Sequence, residues 1–222
     1  ISHGLHPLAA FGIAMAIAAL FGAAMGLAIH YLEVPAFIVT LAGMFLARGG
    51  ASVITQDSVP INHDFYSWIS TLFIRLPGGG RLSFVGLLMI AVFVIGAIIA
   101  HRTRFGSYVY ALGGNSVSAS LMGVPVARTT VQIYMLSSML ACLAGIVFSL
   151  YTSAGYPLAA VGVELDAIGA VVIGGTLLTG GYGFVFGTFV GVMLLGLVQT
   201  YIIFDGTLSS WWTKIVIGIL LF

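Results

Sequence analysis

An all-α bundle of membrane-spanning helices is the fold class this sequence predicts, and three observations predict it. First, only 6% of the 222 residues are charged, while 60% are hydrophobic. A soluble domain carries about 25% charged residues. Seven Lys/Arg and six Asp/Glu cannot cover a water-facing surface of this size. Second, several apolar runs reach the roughly 20 residues that a helix needs to cross the hydrocarbon core. Third, the apolar runs are rich in glycine, with 30 in all; small residues let membrane helices approach closely. Lipid is the partner this composition calls for. A net charge of +1 gives no reason to expect nucleic acid.

The first span is expected over Leu8–Ile29. Within it, Gly22-Ala-Ala-Met-Gly26 is a small-xxx-small pattern suited to helix contact. Pro35 then breaks the run, because the residue before a proline is pushed out of helix. Ala36–Ala47 is a second apolar segment, closed at Arg48-Gly49-Gly50. It is short for a span, so a tilted or re-entrant helix is expected unless it continues through Gly49–Ile54. Residues 56–81 are the longest polar stretch. They predict a loop with a short surface helix, where Tyr66 and Trp68 suit the membrane interface.

Ser83–Ala100 reads as a span that ends sharply at His101-Arg-Thr-Arg-Phe105. Residues 111–128 are mildly polar and hold no acid. Thr129–Leu150 is the next span, and Tyr151–Asp166 an apolar loop. Ala167–Thr179 is a short glycine-rich helix closed by Gly180-Gly181-Tyr182-Gly183. Phe184–Phe204 is a full span, Asp205–Thr213 an interfacial loop, and a final segment starts at Lys214. The chain starts at Ile1 and stops inside an apolar stretch at Phe222, so a fragment of a longer protein is expected, lacking N-terminal spans and a C-terminal end. What remains reads as a single membrane domain over 1–222.

Positive charge marks the cytoplasmic side, and the clustering of Arg102, Arg104 and Arg128 near span ends favours 101–128 for it. Residues 48–82 also hold three arginines, but these are spread out and mixed with Asp57 and Asp64. One span separates the two loops, so 48–82 falls outside. A weak internal echo pairs Glu33–Gly43 with Glu164–Gly174: each sets an acid just before a short apolar helix ending in glycine. Such pairs can mark a substrate path in transporters.

Most catalytic chemistry is missing. The only lysine, Lys214, has no glycine loop before it, so the chain supplies no P-loop for ATP. No Cys/His cluster has metal spacing. The five histidines (His3, His6, His30, His63, His101) sit at segment ends, where an interfacial role suits them. Cys142 cannot form an intrachain disulfide and reads as a small buried hydrophobe. No nucleophile–base–orienter set is present. The sequence thus predicts a non-enzyme with no catalytic residue, no cofactor and no metal. Few ionisable groups reach the spans, which argues against an ion-coupled pump.

Two places hold the remaining polar interest. Glu164 and Asp166 flank Leu165 before the glycine-rich helix. Asp166 caps that helix, or the two acids, with Gly174 and Gly175, mark a translocation path. In the 101–128 loop, Gly113-Gly114-Asn115 reads as a turn with Asn115 as N-cap. Ser116–Met122 is then a short helix ended by Gly123. It is a plain loop, or a rigid element that docks on a cytoplasmic partner.

Three stretches carry a resemblance. Arg104-Phe-Gly-x-x-x-Tyr-Ala-x-Gly-Gly-Asn115 with Ala119-Ser-Leu-Met-Gly-Val124 is similar to the cytoplasmic loop of permease subunits of ABC sugar importers, the ribose/galactoside/galactofuranose group. Asp166-Ala-Ile-Gly through Thr179-Gly-Gly-Tyr-Gly183 resembles a second hallmark of that family. Val34-Pro-Ala-Phe through Ala42-Gly-Met-Phe45 resembles a third. The loop runs Pro60–His63, Pro77–Leu82 and Gly206–Lys214 are most similar to galactofuranose-transporting members. A Gly-Gly-x-Asp-Leu-Ser motif that members carry near the start is absent.

The resemblance implies an ABC importer permease that moves a monosaccharide across the bacterial inner membrane. It implies a separate cytoplasmic ATPase subunit, a second permease subunit (itself or a paralogue) and a periplasmic sugar-binding protein. It makes 101–128 a coupling loop, with Arg104, Gly106, Gly113, Gly114, Asn115 and Gly123 as its candidate residues. The competing reading is an ATP-independent secondary transporter or channel.

Overall fold

The computed structural model describes residues 6–75, 81–205, 212, 214–215 and 218–219. His3, the Pro77–Gly80 run and, apart from Trp212, the loop expected after Asp205 lie outside the described residues, and the final segment is described only in part.

The described residues hold nine helices with both ends defined: α1 (Pro7–Tyr31), α2 (Ala36–Ile54), α3 (Asp64–Thr71), α4 (Phe84–Arg102), α5 (Arg104–Gly114), α6 (Ser116–Leu121), α7 (Val126–Thr152), α8 (Val163–Ile173) and α9 (Val185–Asp205). Of these, α1, α2, α4, α7 and α9 are long and apolar enough to cross a membrane. The fold is therefore all-α and polytopic, as the composition predicts. α1, α4, α7 and α9 start and end within three residues of the expected bounds.

For α2 the longer of the two expected courses holds. It runs unbroken through Arg48, Gly49 and Gly50 to reach 19 residues, enough for a span. A glycine costs a helix about 1 kcal/mol relative to alanine. In hydrocarbon the alternative is worse, because only a helix satisfies the backbone of a single segment. The expected echo weakens in consequence: Gly43 lies in the middle of α2, whereas Gly174 caps the end of the 11-residue α8.

Two short strand pairings were not legible as such. β1 (Val59–Pro60) pairs antiparallel with β4 (Ala154–Gly155), with Val59 opposite Gly155. β2 (Phe73–Arg75) pairs antiparallel with β3 (Arg81–Ser83), with Ile74 opposite Leu82. The expected short helix is present as α3, with Tyr66 buried and not at an interface; it is capped by the ring of His63, whose Nδ1 accepts from the Phe65 N–H at 3.1 Å. His6 caps α1 in the same way, accepting from the Leu8 N–H at 3.3 Å. These segment-end histidines are helix caps.

The chain divides into two compact units, residues 1–90 with 125–159 and residues 91–124 with 160–222. In the first, α1 lies antiparallel against α7. Gly22 and Gly26 are buried in that seam. A Cβ on Gly22 would stand 2.5 Å from the Tyr134 carbonyl oxygen and 2.8 Å from Met135 Cα; one on Gly26 would stand 2.7 Å from Val131 Cα. The small-xxx-small pattern is thus where two backbones meet. At the far end of the seam, Tyr66 and Ile69 of α3 pack on Leu150, with Phe11 and Phe65 beside them. The Tyr66 hydroxyl lies 3.3 Å from Ser149 Oγ. Gly22→Leu is expected to separate α1 from α7, at a cost above the roughly 1–3 kcal/mol of ordinary overpacking, because backbone cannot yield. Gly12→Leu, with nothing within 4 Å, is the neutral control. Thermal unfolding of the two purified variants measures the difference.

In the second unit, α8 lies antiparallel against α9. Ala170 and Leu195 form its buried centre, with Ile173 and Val192 packed on them. α8 starts at Val163, not Ala167. The capping expectation for Asp166 is therefore wrong. The N-cap is Gly162, whose φ of +92° suits glycine, and it makes no side-chain cap bond. Glu164 and Asp166 lie in the first turn, where carboxylates face the positive end of the helix dipole.

Candidate functional site

The polar residues singled out by sequence fall mostly on α5, α6 and the turn region that joins α8 to α9, all in the second unit. Only Thr103 separates α4 from α5. Its Oγ1 accepts from the Gly106 N–H at 3.2 Å and donates to the Ile99 carbonyl at 2.6 Å. The chain folds back so tightly that a Cβ on buried Gly106 would collide with the Ala100 carbonyl oxygen. Arg104 opens α5 and is exposed.

The sequence analysis assigns no helix to 104–114 and expects a turn at Gly113-Gly114-Asn115. The structure makes this stretch a helix, with Gly113 and Gly114 in its last turn. The turn shrinks to Asn115 alone, which ends α5 and starts α6. The signal for α5 was available: Phe105, Tyr108, Val109 and Leu112 recur at helical spacing, and each is half-buried.

α6 is short but held at both ends. Asn115 Oδ1 accepts from the Ser118 N–H at 2.8 Å, as expected of an N-cap. At the other end Gly123 takes φ +82°. Its N–H donates to the Ser120 carbonyl at 3.0 Å, and that of Val124 to the Ala119 carbonyl at 3.1 Å. This paired closure is a Schellman motif, which needs a left-handed residue at that place. Ala119 is buried, while Val117, Leu121 and Met122 are 68%, 83% and 74% exposed. Asn115→Ala is expected to weaken α6 by about 1 kcal/mol. Faster hydrogen exchange at the Ser118 amide, with α7 unaffected, is the measurement.

The region 174–183 is built on left-handed glycines: φ is +85° at Gly175, +89° at Gly180 and +81° at Gly181. It closes on itself through Leu177 N–H to the Tyr182 carbonyl and Gly180 N–H to the Leu177 carbonyl, both at 3.1 Å. Its two flanks touch, because a Cβ on Gly174 would meet the Gly187 carbonyl oxygen and one on Gly187 would meet the Gly174 oxygen.

This loop also meets α5. A Cβ on Gly113 would stand 2.8 Å from the Gly181 nitrogen. The Tyr110 hydroxyl donates to the Gly183 carbonyl at 2.9 Å. The structure thus brings Gly113 and Gly114 against Gly180 and Gly181, two motifs about 67 residues apart in sequence. It does not bring the four path candidates together. Glu164 and Asp166 lie in the first turn of α8, and Gly174 and Gly175 follow its last. Over 11 residues that is roughly 16 Å of helix. Gly174 serves the contact with α9. Tyr110, His101, Gly181 and Gly183 were missed as site residues, although the first and last two stand inside the quoted motifs.

Over residues 1–222 the chain matches the family described as branched-chain amino acid transport system / permease component. It is 64% identical to the inner membrane ABC transporter permease protein YjfF of Escherichia coli (strain K12), over 99% of this chain and 66% of that one. It is 41% identical to the fructose import permease protein FruG of Bifidobacterium longum (strain NCC 2705), over 94% of this chain and 63% of that one. It is 38% identical to the ribose import permease protein RbsC of Escherichia coli (strain K12), over 96% and 66% respectively. The chain thus spans about two thirds of the length of these curated relatives. No solved structure matches it.

Proposed function

Because the chain belongs to the branched-chain amino acid transport system / permease component family, we propose that it forms the greater part of the membrane-spanning permease of an ATP-driven importer of a monosaccharide. The relatives named for fructose and ribose import support a sugar as cargo. The loop runs around Pro60–His63 favour a galactofuranose-like sugar within that class. The energy source is a separate cytoplasmic ATPase subunit, since this chain carries no P-loop. A second permease subunit and a periplasmic sugar-binding protein complete the assembly. The site is the bacterial inner membrane, in keeping with the five apolar helices.

One observation carries the reading. α6 presents Val117, Leu121 and Met122 on a helix fixed at both ends, and the arginines clustered in its flanks favour the cytoplasmic side. Burying a side chain of this kind is worth about 1.5–3 kcal/mol. An ATPase subunit that accepts them gains a firm grip on a rigid lever. The spans then alternate between two packings, one biased by ATP and the other by the loaded binding protein.

The test is reconstitution of the permease with its ATPase in liposomes. Uptake of a labelled monosaccharide that requires ATP and the binding protein is the expected result. Uptake by the permease alone would instead identify an ATP-independent transporter or channel.

A further inference from the structure

We infer that the seam between α5 and the 174–183 loop is the link through which movement of α6 reaches α8 and α9, with Tyr110 as its positioning residue; the inference rests on the transport reading above. α5 touches the loop at two places three residues apart. At the first, the Tyr110 hydroxyl donates to the Gly183 carbonyl at 2.9 Å. At the second, Gly113 has no room for a Cβ, which would stand 2.8 Å from the Gly181 nitrogen, and one on Gly181 would be tight, at 3.0 Å from the Gly113 oxygen and from Gly114 Cα. One contact would fix position only. Two contacts a helical turn apart also fix orientation.

The Tyr110 ring is part of the same seam. It stacks on His101 at 6.1 Å between centroids, and His101 in turn faces Phe184 at 6.4 Å. Tyr182 meets Phe184 edge-on at 5.2 Å. Gly183 is thus flanked in sequence by two rings of this stack, and α9 begins two residues later at Val185.

Neither side of the seam has slack. α6 is joined to α5 through Asn115 alone. The loop is closed by its own hydrogen bonds and pinned at its flanks by Gly174 against Gly187. Close-packed elements shift between discrete arrangements instead of deforming continuously. A displacement of α6 therefore passes through Tyr110 and Gly113 to the start of α9.

Tyr110→Phe tests this, because it keeps the ring and removes only the hydroxyl. In the whole permease in nanodiscs, amide exchange across 174–183 is expected to rise about fivefold, the effect of one lost hydrogen bond on a local opening. Exchange in α1 and α7 should not change. In the complex with ATPase and binding protein, the maximal uptake rate should fall by a similar factor. The half-saturating sugar concentration and the stimulation of ATP hydrolysis should hold. Unchanged exchange across 174–183 would overturn the seam. Raised exchange with wild-type uptake would overturn its role as a link. If the wild-type complex shows no ATP-dependent uptake, the transport reading itself falls, and the exchange arm separates that outcome from the other two.

Discussion

Gly187→Leu is expected to abolish the folded α8–α9 pair. A Cβ at this position would collide with the carbonyl oxygen of Gly174, and leucine adds three further carbons to the same space. The obstacle is backbone at the end of a helix, so no side-chain rotation relieves it. The two helices must part, which exposes Ala170 and Leu195. The loss should exceed about 3 kcal/mol, beyond the usual cost of overpacking. Gly191→Leu should behave alike, since a Cβ there would meet the Ala170 carbonyl oxygen. Gly196→Leu, on the same helix with nothing within 4 Å, should leave stability within about 0.5 kcal/mol. Thermal unfolding of the detergent-solubilised variants orders them. An unfolding temperature for Gly187→Leu equal to that of Gly196→Leu would contradict the geometry.

The second large effect concerns function and spares the fold. Val117→Glu with Leu121→Glu places two carboxylates on the exposed face of α6. Both side chains face away from the protein, so the permease should reach the membrane in normal amounts with an unchanged unfolding temperature. On the proposed importer reading, ATP-dependent uptake should fall at least about 100-fold, because burying an unpaired charge at an interface costs about 3 kcal/mol or more. Copurification of the ATPase subunit should be lost in parallel. Ser116→Glu, at the capped start of the same helix, serves as the comparison. A carboxylate is tolerated near a helix N-terminus. If the double variant retains both uptake and the ATPase, α6 is not the contact.

The spans were legible because their signal is simple. A run of apolar residues of the right length has one stable form in lipid, and α1, α4, α7 and α9 follow it closely. The length of α2 stays open in the sequence because Arg48-Gly49-Gly50 is a stop signal in water, where the backbone can turn to solvent. In a membrane that option is missing, and the helix continues. α5 was lost for the opposite reason. Its glycines and polar residues imitate a loop, while a half-buried stripe of four apolar residues is enough to hold it helical. The start of α8 was misplaced by four residues because Asp166 is a good N-cap by type, yet the left-handed Gly162 had already begun the helix.

The candidate site was legible in parts and not as a whole. Asn115 and Gly123 announced the ends of α6 by residue type. Nothing local announces that Gly113 meets Gly181. Each glycine alone reads as flexibility. Their shared meaning is close approach, which only the packing of the helices reveals.

The pairing of β1 with β4 sets a schedule for synthesis. Val59 and Pro60 find their partners only when Ala154 and Gly155 have left the ribosome. The 94 residues from Pro60 to Ala154 take roughly 5–19 s to translate at about 5–20 residues per second. During that interval α2 and α4 enter the bilayer, while the segment between them waits with Tyr66 uncovered by Leu150. The end of the first unit that holds this pairing is therefore assembled late, once α7 has been made.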